Sequence, residues 1–226
     1  VRRVAAETCV RLEIAPEFDA LTRMLTAESR IEALAARRLL ERIPANQWQA
    51  KVFSTDDKQL FFNGSVAMMT SEPSLDRAYQ ILAKSSEFME GFLNDREFTD
   101  LLRTVQLALV RGQVDPARIP GLTLRMASEF PSASSPINRE LARILGYLKA
   151  GDFSGRLDTY LASEETSIAD KVHVAMHLLA AKENLTDAER LSVVDALETS
   201  RFAKADGGSF DQYLQNAIAQ ISSEVA

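Results

Sequence analysis

Apolar residues recur at spacings of three and four along almost the whole chain, and alternation of period two never persists. The first pattern lines one face of an α-helix, the second one face of a strand, so the pattern predicts helices throughout. A helix is expected over 1–14, ended near Pro16, and another over 17–25. Ser29-Arg30-Ile31-Glu32 has the form of a capping box opening a helix with Ile31, Leu34, Ala35, Leu39 and Ile43 on one face, stopped at Pro44. A short helix over 46–53 follows, then one over 57–69 capped by Asp56, with Leu60, Phe61, Val66, Met68 and Met69 as core candidates. Helices over 74–84 and 86–93 precede a longer one over 97–111 that carries Phe98, Leu101, Leu102, Val105 and Leu109, with Gly112 at its C′ place.

The stretch 115–121, with two prolines, reads as a connector, and the wider interval 112–136 as the place where the chain would divide if it divides at all. Otherwise 1–226 is expected to form a single helical segment. Helices over 122–130 and 136–149 follow, the second with Ser135 as N-cap and Pro136 at N1, ended by Gly151. Then come 153–161 and 167–181, the latter with the stripe Ile168, Val172, Ala175, Met176 and Leu179. Thr186-Asp187-Ala188-Glu189 forms a second capping box, opening 187–202. Gly207-Gly208 ends that helix, and a third box at Ser209-Phe210-Asp211-Gln212 opens a last helix to about 223.

About a dozen helices of 8 to 16 residues with short connections imply an all-α fold. Helical pairs recur every 30 to 45 residues, the spacing of an α-α superhelix of the HEAT or armadillo kind, in which each hairpin buries its apolar face against its neighbours. A closed helical bundle is the competing architecture.

Composition narrows function more than fold. The net charge is −6, and the basic pairs Arg2-Arg3 and Arg37-Arg38 are short and interleaved with acids. A nucleic-acid binder concentrates Lys and Arg to displace counterions, so no nucleic-acid partner is expected. The single cysteine, Cys9, excludes an internal disulfide and a cysteine-based zinc site, and its neighbours Val4, Ala5 and Leu12 suggest a small core residue. No stretch of eighteen apolar residues occurs, so no membrane insertion is expected. The chain opens at Val1 already inside a helical pattern, as a segment of a longer protein would.

Candidate chemistry is sparse. Asp170, His173 and His177 stand three and four residues apart, which sets them on one helix face as conceivable ligands of a divalent metal. The zincin pattern would need a Glu directly after the first His, where Val174 stands, and the surrounding Val172, Ala175 and Met176 read as core. Histidines bonded to neighbouring carbonyls are the simpler reading. Gly207-Gly208 lacks a preceding strand and a Walker lysine, so no phosphate site or other cofactor is expected. Trp48, between polar neighbours Gln47 and Gln49, is either a packing plug or an anchor for a partner, and the plug is the preferred reading.

The strings Phe130-Pro131, Asn138-Arg139-Glu140-Leu141-Ala142-Arg143-Ile144-Leu145-Gly146-Tyr147-Leu148, Asp170-Lys171-Val172-His173-Val174-Ala175, and Gly207-Gly208-Ser209-Phe210 with Tyr213, Leu214 and Asn216 carry a resemblance. Over about 127–221 the chain resembles the HEAT-type helical segment of large multidomain bacterial proteins, abundant in planctomycetes and their relatives. In those proteins it sits between a β-propeller dehydrogenase-like domain and a C-terminal c-type cytochrome domain. The resemblance implies an extracytoplasmic (periplasmic) scaffold without catalytic residues; the haem attachment pattern Cys-x-x-Cys-His is absent. Three functions are therefore open. The preferred one is a non-enzymatic, monomeric helical scaffold that spaces or docks adjacent domains or a protein partner. A metal-binding enzyme or sensor on Asp170, His173 and His177 is the second. A helical-bundle regulatory domain with a peptide or ligand cavity near Met68, Met69 and Phe92 is the third.

Overall fold

A computed structural model describes residues 1–201 together with Gln212, Gln215 and Asn216. Among the described residues the chain is all-α, with twelve α-helices, three short 3-10 turns and no strand. Gly207, Gly208, the box at Ser209 and the helix expected as far as 223 lie outside the described residues. The chain forms two compact units, Val1–Val114 and the part from Asp115 onward.

The first unit comprises α1 (Arg2–Leu12), α2 (Phe18–Leu25), α3 (Arg30–Leu40), α4 (Gln49–Phe53), α5 (Lys58–Ser71), α6 (Leu75–Phe88) and α7 (Asp95–Gly112). Short connections fold α3 back on α2, α5 on α4, α6 on α5 and α7 on α6. Helices α1, α3, α5 and α7 lie side by side in one row, and α2, α4 and α6 back them in a second. The core lies among these helices: Leu25, Leu40, Val52, Phe61, Met68, Ile81, Leu101 and Leu109 are at most 1% exposed.

Local chemistry sets the helix starts. Ser29 accepts the Glu32 amide at 3.4 Å, Asp57 that of Leu60 at 2.9 Å and Ser74 that of Arg77 at 3.3 Å. A full capping box sits where none was expected. Asn94 Oδ1 accepts the Glu97 amide at 3.0 Å and Glu97 returns a carboxylate to the Asn94 amide at 3.1 Å, which moves the start of α7 back to Asp95. The box expected at Ser29 is only half formed, because the Glu32 carboxylate pairs with Arg2 at 2.7 Å instead. Asp57, one residue beyond the expected Asp56, caps α5.

Two further expectations are corrected by packing. A single helix α6 runs to Phe88, because the aromatic cluster of Phe61, Phe62 and Phe88 extends the buried stripe through the expected break. Gly112 is the last residue of α7 rather than its C′ residue; the left-handed position is taken by Gln113 (φ 52°). Gly112 is small for a different reason: a Cβ there would collide with that of Ala78 on α6. Helix α1 is the weakest fit to its pattern. Val4 and Leu12 are 55% and 63% exposed, Cys9 is only half-buried, and Ala6 alone is buried.

Trp48 is the packing plug. It is 1% exposed, donates its indole Nε1 proton to the Ile43 carbonyl at 2.9 Å, and stacks on Phe18 with centroids 6.1 Å apart. A side chain so enclosed has no face left for a partner, so the anchor reading fails. The residues named for a ligand cavity, Met68, Met69 and Phe92, are not brought to one open surface. Both methionines are sealed in the core, while Phe92 is 83% exposed.

The second unit contains α8 (Pro120–Ser128), α9 (Ser135–Tyr147), α10 (Arg156–Ala162), α11 (Ile168–Leu178) and α12 (Asp187–Arg201). Here α9 packs on α8 and α11, and α12 on α10 and α11. Phe130 meets Phe153 and Tyr160 edge-on at 5.7 and 5.3 Å. The expected capping box at Thr186 is complete, with 3.2 and 2.9 Å bonds, and the buried Glu189 also accepts the Phe153 amide, tying α12 to the start of the α10 segment. Helix α9 begins one residue earlier than expected, with Ser134 as N-cap, because the Ser135 hydroxyl is drawn to Asp170. It is terminated by the left-handed Lys149 (φ 52°) ahead of Gly151.

Trp48→Ala would empty the centre of the first unit and is expected to cost about 3–5 kcal/mol. Urea unfolding followed by circular dichroism measures this, and a loss below about 1 kcal/mol would contradict the plug assignment.

Candidate functional site

The sequence-predicted constellation lies on α11, facing α9. The helices approach closely because α9 presents Gly146, where a Cβ would strike the carbonyl of His177. Asp170, in the first turn of α11, is 6% exposed. Its Oδ1 accepts from Ser135 Oγ at 2.8 Å and Arg139 Nε at 2.6 Å, and its Oδ2 accepts from Ser167 Oγ at 2.6 Å. Burial by itself would raise the Asp170 carboxyl; the hydrogen bonds from Ser167, Arg139 and Ser135 and the Arg139 charge outweigh it and hold the group below its ordinary value. The carboxylate therefore fastens α11 to α9.

His173 and His177 do lie together, with ring centroids 4.5 Å apart. His173 Nε2 is 3.2 Å from the Arg139 carbonyl, to which it donates as the Nε2–H tautomer. Desolvation, then the neighbouring His173 and Arg143 charges, push His177 down to about 4 against the opposing pull of Glu140. Desolvation also lowers His173. Two arginines beside two neutral imidazoles repel a cation, and the carboxylate that would complete a metal triad is spent on Arg139 and two serines. Among the described residues no group of three or more His, Cys, Asp or Glu is placed to hold a metal. Asp170, His173 and His177 form a packing cluster in which one imidazole meets a neighbouring carbonyl.

Around it the polar side chains serve the same end. Asn138, 2% exposed, clamps the preceding loop by accepting the Ser132 amide at 2.7 Å and donating to the Ser132 carbonyl at 2.9 Å. Glu140 pairs with Arg143 at 2.7 Å.

A second place, in the first unit, is built differently. Helices α3, α5 and α7 enclose an open cleft of about 350 Å³. Its floor is apolar and small: Ala33, Phe62 and Val66, with Thr104 beside them. Four arginines line it, Arg30 and Arg37 from α3 and Arg96 and Arg103 from α7, against one carboxylate, Asp100. Ile31 and Leu34 lie on its α1 side, 58% and 41% exposed. Arg37 is half-buried, and its Nε is shielded from solvent without a hydrogen-bond partner; Glu41 Oε1 is 4.0 Å away. Desolvation lowers the Arg37 pKa, opposed by Glu41 and reinforced by Arg38. Arg30 and Arg96 make no ion pair among the described residues and are exposed.

Sequence reading passed over this cleft because it weighed charge in contiguous runs. The available signal was spacing: Arg30 and Arg37 are seven apart, as are Arg96 and Arg103, and seven residues bring a side chain back to the same helix face after two turns. Comparison of the chain with family models, with curated proteins and with solved structures finds no match.

Asp170 and His177 should separate by pH window. The depressed Asp170 carboxyl stabilises the native state fully above its ordinary value of 3.8 and ceases to do so as pH falls through its lower folded value. Asp170→Asn is thus expected to cost about 2–3 kcal/mol at neutral pH, with a gap that closes below pH 3.8. A neutral imidazole held down to about 4 works in the range between that value and its ordinary 6.5, where the unfolded chain binds a proton that the folded chain refuses. Stability should fall from pH 6.5 toward 4, and His177→Gln should flatten that slope. Urea titrations at half-unit pH intervals test both; parallel profiles for wild type and His177→Gln would refute the second.

Proposed function

We propose that the chain is a non-enzymatic helical-repeat scaffold that docks a protein partner or an adjacent domain through the cleft of its first unit. The observation that carries this reading is the α3–α5–α7 cleft itself: an open recess of about 350 Å³ with an apolar floor and a charged rim. Pockets that take ligands combine those two features, apolar area for affinity and a few placed polar groups for orientation. The polar cluster that could have supported catalysis is engaged in holding α9 to α11. The resemblance of the second half to HEAT-type segments between redox modules supports the same reading, with the parent protein outside the cytoplasm and any electron transfer carried by neighbouring domains.

Benzoylphenylalanine placed at Leu34, in the cleft, should photo-crosslink in the native host to one defined peptide of another domain or protein, identified by mass spectrometry. The same probe at the exposed Leu191 on α12 should not. Equal, heterogeneous adducts from both positions, or turnover of a substrate by the isolated chain, would defeat the docking reading.

A further inference from the structure

The docking reading leaves the chemistry of the occupant open, and the charge of the cleft narrows it. The chain as a whole carries −6, yet four arginines and a single aspartate meet in one recess. Arginine presents a planar fork of donors that matches carboxylates, and clustering such forks in a partly enclosed site costs repulsion and desolvation unless an anion offsets it. Arg37 shows that cost directly: its Nε is cut off from water and lacks an acceptor at hydrogen-bond distance.

The spacing adds a ruler. Seven helical residues span roughly 10 Å, so Arg30 and Arg37 on α3, and Arg96 and Arg103 on α7, form two arginine pairs of that length on the two outer helices of the cleft. Carboxylates three residues apart on a polyproline-II segment, with three residues per turn and a rise of about 3.1 Å per residue, share one face and stand roughly 9 Å apart. Between the arginine pairs lie Phe62 and Val66 of α5, with Ile31 and Leu34 beside them, and these suit an apolar side chain set between the acids. A nucleic acid or free phosphate would use the arginines but not this apolar strip.

We infer that the cleft takes an acidic peptide, a segment of a partner protein with carboxylates about three residues apart and aliphatic side chains between them. This rests on the docking reading and specifies its ligand. The segment lies along α5 with its carboxylates reaching the arginines of α3 and α7, and its affinity falls as salt screens those pairs.

The test is fluorescence anisotropy with a fluorescein-labelled peptide of four Glu-Leu-Gly repeats, against a Gln-Leu-Gly comparator, a twelve-nucleotide oligothymidylate and pyrophosphate. Arg30→Glu/Arg96→Glu should weaken the glutamate peptide about tenfold or more. Both positions are exposed and in the first turn of their helices, where an acidic side chain suits the helix dipole, so the fold is retained and circular dichroism checks it. Arg23→Glu/Lys51→Glu makes the same change of net charge at exposed positions of α2 and α4 outside the cleft lining and should leave binding within about twofold. Equal loss in both double variants, failure of the peptide to bind at millimolar concentration, or stronger binding of oligothymidylate or pyrophosphate would each overturn the inference. If Arg30→Glu/Arg96→Glu instead leaves the Leu34 photo-crosslink intact, docking stands and the acidic-peptide assignment alone falls.

Discussion

No helix in this chain can bury its own apolar stripe, and that constraint governs everything else. Helices of five to eighteen residues are marginal alone in water. They persist because Leu40, Phe61, Met68 and Leu101 in the first unit, and Leu145, Val172 and Leu178 in the second, each close against a stripe on a neighbouring helix. The same need explains where small residues stand. Gly112 and Gly146 allow the backbones of their helices to come close enough for the flanking large side chains to seal.

Two sets of polar groups contrast. One is buried and fully used: Asp170 receives three side-chain donors, Glu189 caps its own helix while holding the Phe153 amide, and Asn138 fixes a loop by both ends of its amide. In a low-dielectric interior such groups must be satisfied or they destabilise the fold. The other is the arginine set of the α3–α5–α7 cleft, where charge of one sign gathers over an apolar floor. The interior carboxylates are satisfied by donors within the fold, whereas the cleft gathers cations on an open recess, and the docking proposal rests on that contrast.

This division explains why His173 and His177 were legible as neighbours but not as to purpose. Helical periodicity alone places them on one face, and they are on one face. Whether an imidazole meets a metal, a carbonyl or an arginine depends on the facing helix, which brings Arg139, Glu140 and Arg143 to them from more than thirty residues away. Trp48 shows the same limit from the other side: its polar sequence neighbours hinted at a surface, but Phe18 and the Ile43 carbonyl enclose it.

What the amino-acid order determined by itself was local: the all-α class, most helix positions, the box at Thr186 and Glu189, and the core stripes of α5 and α7. These follow from a 3.6-residue period and from side chains that reach only three or four residues along the backbone. Tertiary structure alone decided the exposure of Val4, Leu12 and Phe92, the role of Gly112, the engagement of Asp170 and the assembly of the arginine cleft. Each of those depends on which surface of a distant helix arrives opposite. Periodicity says that a residue lies on a face, but the energy of burial, pairing or repulsion is set by what that face meets.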